Sequence, residues 1–147
     1  MLPHTHAILG ALFSIAVWFF IPGITPLAAV IIFLASVFID IDHYTIYVAG
    51  RKEFSLKKAY DTYKKLPLHT KPMPNILHTV EVMALILIAG FFIHFFLYVF
   101  IGFAFHSILD LIDFSRNKNI DCREYFLTRY LIKKKKNIYF DWSKDGK

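Results

Sequence analysis

The chain has 147 residues, 56% of them hydrophobic, with sixteen phenylalanines and a mean hydropathy of +0.48. Its length suits one domain, and an apolar fraction above the roughly 45–50% of soluble globular chains excludes an ordinary soluble protein and points to an integral membrane protein. The net charge of +6 is segregated: residues 1–50 carry no Lys or Arg, seven lie between Arg51 and Lys71, and ten between Arg116 and Lys147. Charge confined to segments flanking apolar runs reads as membrane topology, so no nucleic-acid partner is expected. The single cysteine, Cys122, excludes an intramolecular disulfide and a cysteine metal motif, and reads as a free reduced thiol.

Met1 to Thr5 lacks the positive region of a secretory signal, and no small-residue cleavage site follows, so the apolar stretch from Thr5 to Ile21 reads as a retained helix with Thr5 as its N-cap. The Pro and Gly content of residues 21–26 marks a turn. A second apolar helix, Leu27 to Ile41, is expected to continue through the acidic cluster Asp40-Ile41-Asp42-His43. Residues 44–74 form the one sizeable polar loop. Within it, Ser55 to Leu66 has Leu56, Ala59, Tyr60, Tyr63 and Leu66 near helical spacing with lysines between, the pattern of a basic helix lying on anionic headgroups. Pro67, Pro72 and Pro74 then break the chain. The apolar stretch from Asn75 to Asp113 would run roughly 60 Å as one helix, about twice a hydrocarbon core, so two helices are expected, Asn75 to Phe91 and Phe95 to Asp113. Residues 114–147 read as a basic, aromatic tail whose Lys133–Lys136 run is a membrane anchor, ending in Tyr139-Phe140-Asp141-Trp142 and a frayed terminus.

These elements predict an all-α fold: an integral membrane four-helix bundle with short, partly amphipathic cytoplasmic segments. Residues 1–113 form the transmembrane domain, including the loop 44–74, and 114–147 the cytoplasmic tail. Four spans put the N-terminus, the loop and the tail on one side together with all seventeen Lys and Arg. The positive-inside rule makes that side the cytoplasm, across the inner or plasma membrane.

In this topology every helix brings ionisable groups to the same membrane half. His6 enters with helix one, Asp40 and Asp42 close helix two, His78 and Glu81 open helix three, and His106 and Asp110 lie in helix four. His78 and Glu81 are spaced i, i+3, and His106 and Asp110 i, i+4, so each pair shares a helix face. Ionisable groups inside a membrane are costly and mark sites. Histidines and carboxylates converging from several helices are how bundle cores hold metals. The expected ligand set is therefore His6, Asp40, Asp42, His78, Glu81, His106 and Asp110. Imidazole with carboxylate suits zinc, with manganese or iron as alternatives, and two metals would suit phosphoester hydrolysis. His4, His69 and His94 are read as lying outside the site, and His43 and Asp113 as interfacial.

The same residues resemble the membrane-bound metal-dependent hydrolases, small four-helix proteins related to the zinc-dependent phospholipase C group. The resemblance rests on His6-Ala7-Ile8-Leu9-Gly10, Asp40-Ile41-Asp42-His43, His78-Thr79-Val80-Glu81 and His106-Ser107-Ile108-Leu109-Asp110, and covers about residues 4–113. Family members often have proline where this chain has Ile39. Many carry a His-Arg-Gly-x-Thr-His-Ser segment at the start of helix three, where this chain keeps only His78. The resemblance implies a metal-dependent hydrolase, and the site's place near the headgroup level of the cytoplasmic face points to a lipid or lipid-linked phosphoester, with membrane lipids as surroundings. Asp42 and Glu81 are the expected general-base candidates. The alternative is a non-enzymatic metal-binding membrane scaffold or transporter component.

Overall fold

The computed structural model describes residues 3–65, 73, 75–118 and 123–136. Leu66, Pro67, His69, Pro72, Pro74, Cys122 and everything after Lys136, on which some of the readings above fall, lie outside them. The described chain is all-helical. In order it forms α1 (Pro3–Phe20), α2 (Pro26–Phe38), α3 (Ile41–Arg51), α4 (Leu56–Lys65), a single 3-10 turn (Ile76–His78), α5 (Val80–Phe92), α6 (His94–Arg116) and α7 (Leu127–Lys135).

Local chemistry sets most boundaries. Helix α1 begins at Pro3, so Thr5, expected as its N-cap, lies inside the helix; proline is itself a favoured first helical residue. In the turn after α1, Gly23 adopts a left-handed φ of 87°. Thr25 then caps α2, its Oγ1 accepting the Ala28 N–H at 3.1 Å, with Pro26 at the first helical position. Helix α2 stops at Phe38 rather than running on through the acidic residues. Ile39 and Asp40 form a tight turn, closed by the His43 N–H on the Asp40 carbonyl at 3.1 Å, and α3 continues to Arg51 through what reads in sequence as polar loop. Packing decides this: Tyr47 is buried against Ala59 of α4 and Met73, and Tyr44 donates to the Phe54 carbonyl at 2.6 Å. One extended residue, Ile93, joins α5 to α6. That places the second turn within the expected Phe91–Phe95 window.

Helix α6 contacts α1, α2 and α5, and α2 also contacts α1. The core between them holds Ile32 and Ile39, both fully buried, with Ala35 and Phe103. Gly102 lets α6 reach the backbone of α2. A Cβ there would collide with the Ile32 carbonyl oxygen and lie 2.7 Å from Ala35 Cβ and 2.9 Å from Ser36 N. Gly102→Val is expected to lower stability by about 1–3 kcal/mol through overpacking, and thermal melts in detergent will read it. An unchanged melt would contradict this close approach.

Two helices are long and apolar enough to cross a membrane: Pro26–Arg51, taken through its tight turn, and His94–Arg116. His4–Phe20 and Val80–Phe92 are shorter apolar helices. Large apolar side chains face outward on all four, among them Leu12 and Phe19 on α1, Leu27 and Phe38 on α2, Leu85 on α5 and Ile108 on α6.

The segment 123–136 makes contact with the chain around Met73 and with the start of α5. Arg123 bridges to Met73, and Glu124 N–H reaches the Met73 carbonyl at 3.4 Å. The first turns of α5 and α7 then clasp each other. Val80 N–H donates to the Tyr125 carbonyl at 2.9 Å, while the Glu81 carboxylate accepts from Leu127 N, Thr128 N and Thr128 Oγ1 at 3.0–3.2 Å. Phe126, at the N-cap position of α7, has no side-chain acceptor, so Glu81 satisfies those first N–H groups from another helix.

Candidate metal centre

The site forms where the start of α1, the α2–α3 junction, the 3-10 turn and the second half of α6 meet. His106 and Asp110 lie one turn apart on α6, and both are buried. His106 Nδ1 lies 2.7 Å from the Ser36 carbonyl oxygen. A carbonyl can only accept, so Nδ1 carries a proton, and in the neutral ring Nε2 is left with the lone pair. Ser36 is among the last carbonyls of α2, a class with no partner in its own helix, so the early end of α2 supplies this acceptor.

His78 is oriented in the same way from another direction. Its Nδ1 lies 3.1 Å from Asp42 Oδ2, which also accepts the Leu77 N–H at 3.1 Å. The carboxylate therefore holds both the 3-10 turn and the imidazole, and leaves His78 Nε2 as the free lone pair. In its neutral form, the form a metal needs, this ring offers Nε2.

Asp40 occupies the N-cap position of α3 yet makes no side-chain capping hydrogen bond. Its Oδ1 instead lies 3.3 Å from His106 Nε2, 3.6 Å from His78 Nε2 and 3.5 Å from His43 Nε2. Asp110 Oδ2 lies 3.3 Å from His106 Nε2 and 3.9 Å from His78 Nε2. Four ligand-type atoms, one each from Asp40, His78, His106 and Asp110, all fall within 4.8 Å of one another. Ligands at ~2.0–2.1 Å in a tetrahedron stand roughly 3.3–3.4 Å apart, so spacings of this order fit around one ion. The Nε2 atoms of His78 and His106 are buried without a hydrogen-bond partner, a costly state that coordination would relieve.

Charge points the same way. Asp40, Asp42 and Asp110 bring three carboxylates together, and among the described residues one guanidinium, Arg123, pairs with them, its Nη2 2.5 Å from Asp110 Oδ2. With the neighbouring histidines neutral, the two negative charges left over, on buried Asp42 and one-third-exposed Asp40, match one divalent cation. This buried cluster of Asp and His side chains can hold a metal ion.

Of the seven expected ligands, Asp40, His78, His106 and Asp110 converge. Two others take outer positions. His6 Nε2 lies 3.0 Å from Asp110 Oδ1, with its ring stacked 4.2 Å from that of His106, and Asp42 orients His78. Glu81 is not brought to the cluster; both of its oxygens are engaged at the start of α7. A second grouping, Asp42, His43 and His78, shares His78 with the first, and its Asp42 Oδ2 already accepts two hydrogen bonds. His43, read as interfacial, lines the edge of the site, with its Nε2 3.3 Å from Asn75 Nδ2. Tyr63 donates to the His43 carbonyl at 2.8 Å, and burial, then the charges of Asp42 and Asp40, push its phenol pKa up. The sequence signals neither Arg123 nor Asn75: only the fold separates Arg123 from the other basic residues of its segment.

Two expected outcomes separate these roles. Asp42→Ala weakens metal affinity about 10–100-fold, the usual cost of losing a partner that orients a ligand; unchanged affinity in a metal titration would show that His78 needs no such support. Glu81→Ala leaves metal content unchanged and lowers the melting temperature through the lost clasp. Loss of metal in that variant would return Glu81 to the ligand set.

Comparison with protein-family models, curated proteins and solved structures finds no match for this chain.

Proposed function

We propose that the chain is a membrane-embedded, metal-dependent hydrolase that cleaves a phosphoester of a lipid or lipid-linked substrate at the cytoplasmic face, with zinc as the metal and manganese or iron as alternatives. The observation that carries this reading is the convergence of two histidine lone pairs with fixed tautomers on the Asp40 and Asp110 carboxylates. The resemblance to membrane-bound metal-dependent hydrolases points the same way. The outward apolar surfaces of α1, α2, α5 and α6 support four spans, with all basic residues and both termini on the cytoplasmic side.

His78, His106 and Asp110 are the buried ligands in this reading. A divalent ion held by them supplies Lewis acidity toward water and a phosphoryl oxygen. Asp40 is the most exposed member, its side chain at 33%, and so marks the side from which solvent and substrate enter. Its Oδ1 faces the ligand cluster and is placed to accept a proton from the attacking water. Asp42 is a positioning residue in this scheme, and Glu81 a helix-capping one.

The rival reading, a metal-binding scaffold, is favoured by one feature: if Asp40 is a permanent fourth ligand, the site is closed in the manner of structural zinc. Zinc-loaded protein assayed on phospholipid and phosphomonoester substrates separates the two. Hydrolysis that is lost in Asp40→Asn while zinc is retained supports the enzyme. Zinc-loaded wild-type protein that releases no product from any of these substrates supports the scaffold.

A further inference from the structure

Among the described residues, Arg123 is the guanidinium that the fold delivers into the centre, and the ion balance does not exhaust what it offers. Its backbone is pinned by the bridge to Met73, and its guanidinium lies 4.8 Å over the Phe114 ring. The residue is only 5% exposed. One donor, Nη2, is spent on Asp110 Oδ2, the oxygen that also faces His106 and His78, so the guanidinium sits one carboxylate oxygen away from the proposed ion. A carboxylate oxygen has two lone pairs and can serve both. Arg123 Nε, by contrast, is buried without any hydrogen-bond partner. A planar fork with an unused donor, stacked on an aromatic ring beside a cation site, is the arrangement that receives an anion with several oxygens.

We infer that Arg123 is an anion receptor of this centre, its Nε donating to a non-bridging oxygen of a phosphoryl group bound there. This rests on the metal reading above and adds to it the residue that receives the phosphoryl group, free or lipid-borne. A simple counter-ion for Asp110 needs only a positive charge, which lysine supplies. A fork needs the geometry, which lysine lacks.

The test is titration calorimetry on zinc-loaded full-length protein in detergent with inorganic phosphate, and in nanodiscs with and without phosphatidic acid. Zinc content is measured first in wild type, Arg123→Gln and Arg123→Lys. The expected result is retained zinc in all three and phosphate affinity at least about tenfold weaker in both variants, as loss of a hydrogen bond to a charged group costs. Competition by phosphatidic acid nanodiscs but not by lipid without it assigns the site to a headgroup; no competition assigns it to free phosphate. Zinc retained with phosphate affinity unchanged in Arg123→Gln, or fully restored in Arg123→Lys, overturns the receptor role alone. Wild-type protein that takes up no zinc overturns the metal reading and this inference together.

Discussion

His106→Ala is expected to abolish stoichiometric metal binding. His106 is the most buried of the four converging residues, at 1% exposure, and it alone has close approaches of 3.3 Å to both the Asp40 and the Asp110 carboxylates. Its loss removes a nitrogen ligand, leaves the Ser36 carbonyl without its donor, and leaves two carboxylates facing each other with less to hold them. The affinity loss should exceed the roughly 10–100-fold typical of an orienting partner. Asp110→Asn checks it independently, because it keeps the shape of the side chain while removing a charged ligand. Elemental analysis after exhaustive dialysis reads both. A His106→Ala protein that keeps one equivalent of metal would remove His106 from the ligand set.

Metal removal should have the second large effect. The described site holds three carboxylates and one guanidinium, so without metal its negative charge is met only by Arg123 and by protons on the neighbouring histidines. Binding to the native state alone stabilises it, by about 2.7 kcal/mol when free metal is a hundredfold above its dissociation constant. For a chain of this size that is roughly 5–10 °C in melting temperature. Chelation should lower the melt by this order and zinc should restore it. A melt indifferent to chelator would mean that the carboxylates are balanced by protons and Arg123 without a metal.

The helices and the meeting of four ligand residues were legible in the sequence for a physical reason. Apolar runs have few ways to be arranged, and His106 with Asp110, one turn apart, must share a face wherever the helix lies. The Pro and Gly content of residues 21–26 marked the turn before α2, while the capping role of Thr25 came from the structure. What the sequence hid was the use made of each polar group. Asp42 and Asp40 look equivalent two residues apart, yet the turn at Ile39–Asp40 sends one to the ligand cluster and the other to the back of His78. Glu81, on a helix face with His78 by spacing, lies across the boundary between the 3-10 turn and α5, so regular helical spacing no longer relates the two. Its carboxylate is drawn instead to the exposed N–H groups of α7, a helix that no apolar periodicity announced. Helix α3 was hidden by its mixed composition and is held by the packing of Tyr47 on Ala59 and Met73. Arg123 became part of the site only because its segment folds back along Met73.

The most direct test of the central claim, that His78, His106 and Asp110 hold one divalent ion with Asp40 beside it, is the zinc X-ray absorption spectrum of protein reconstituted with one equivalent of zinc. The predicted result is a shell of nitrogen and oxygen at about 2.0–2.1 Å with outer scattering from two imidazoles and no sulfur. A sulfur shell, which would implicate Cys122, or a spectrum without imidazole scattering would contradict it.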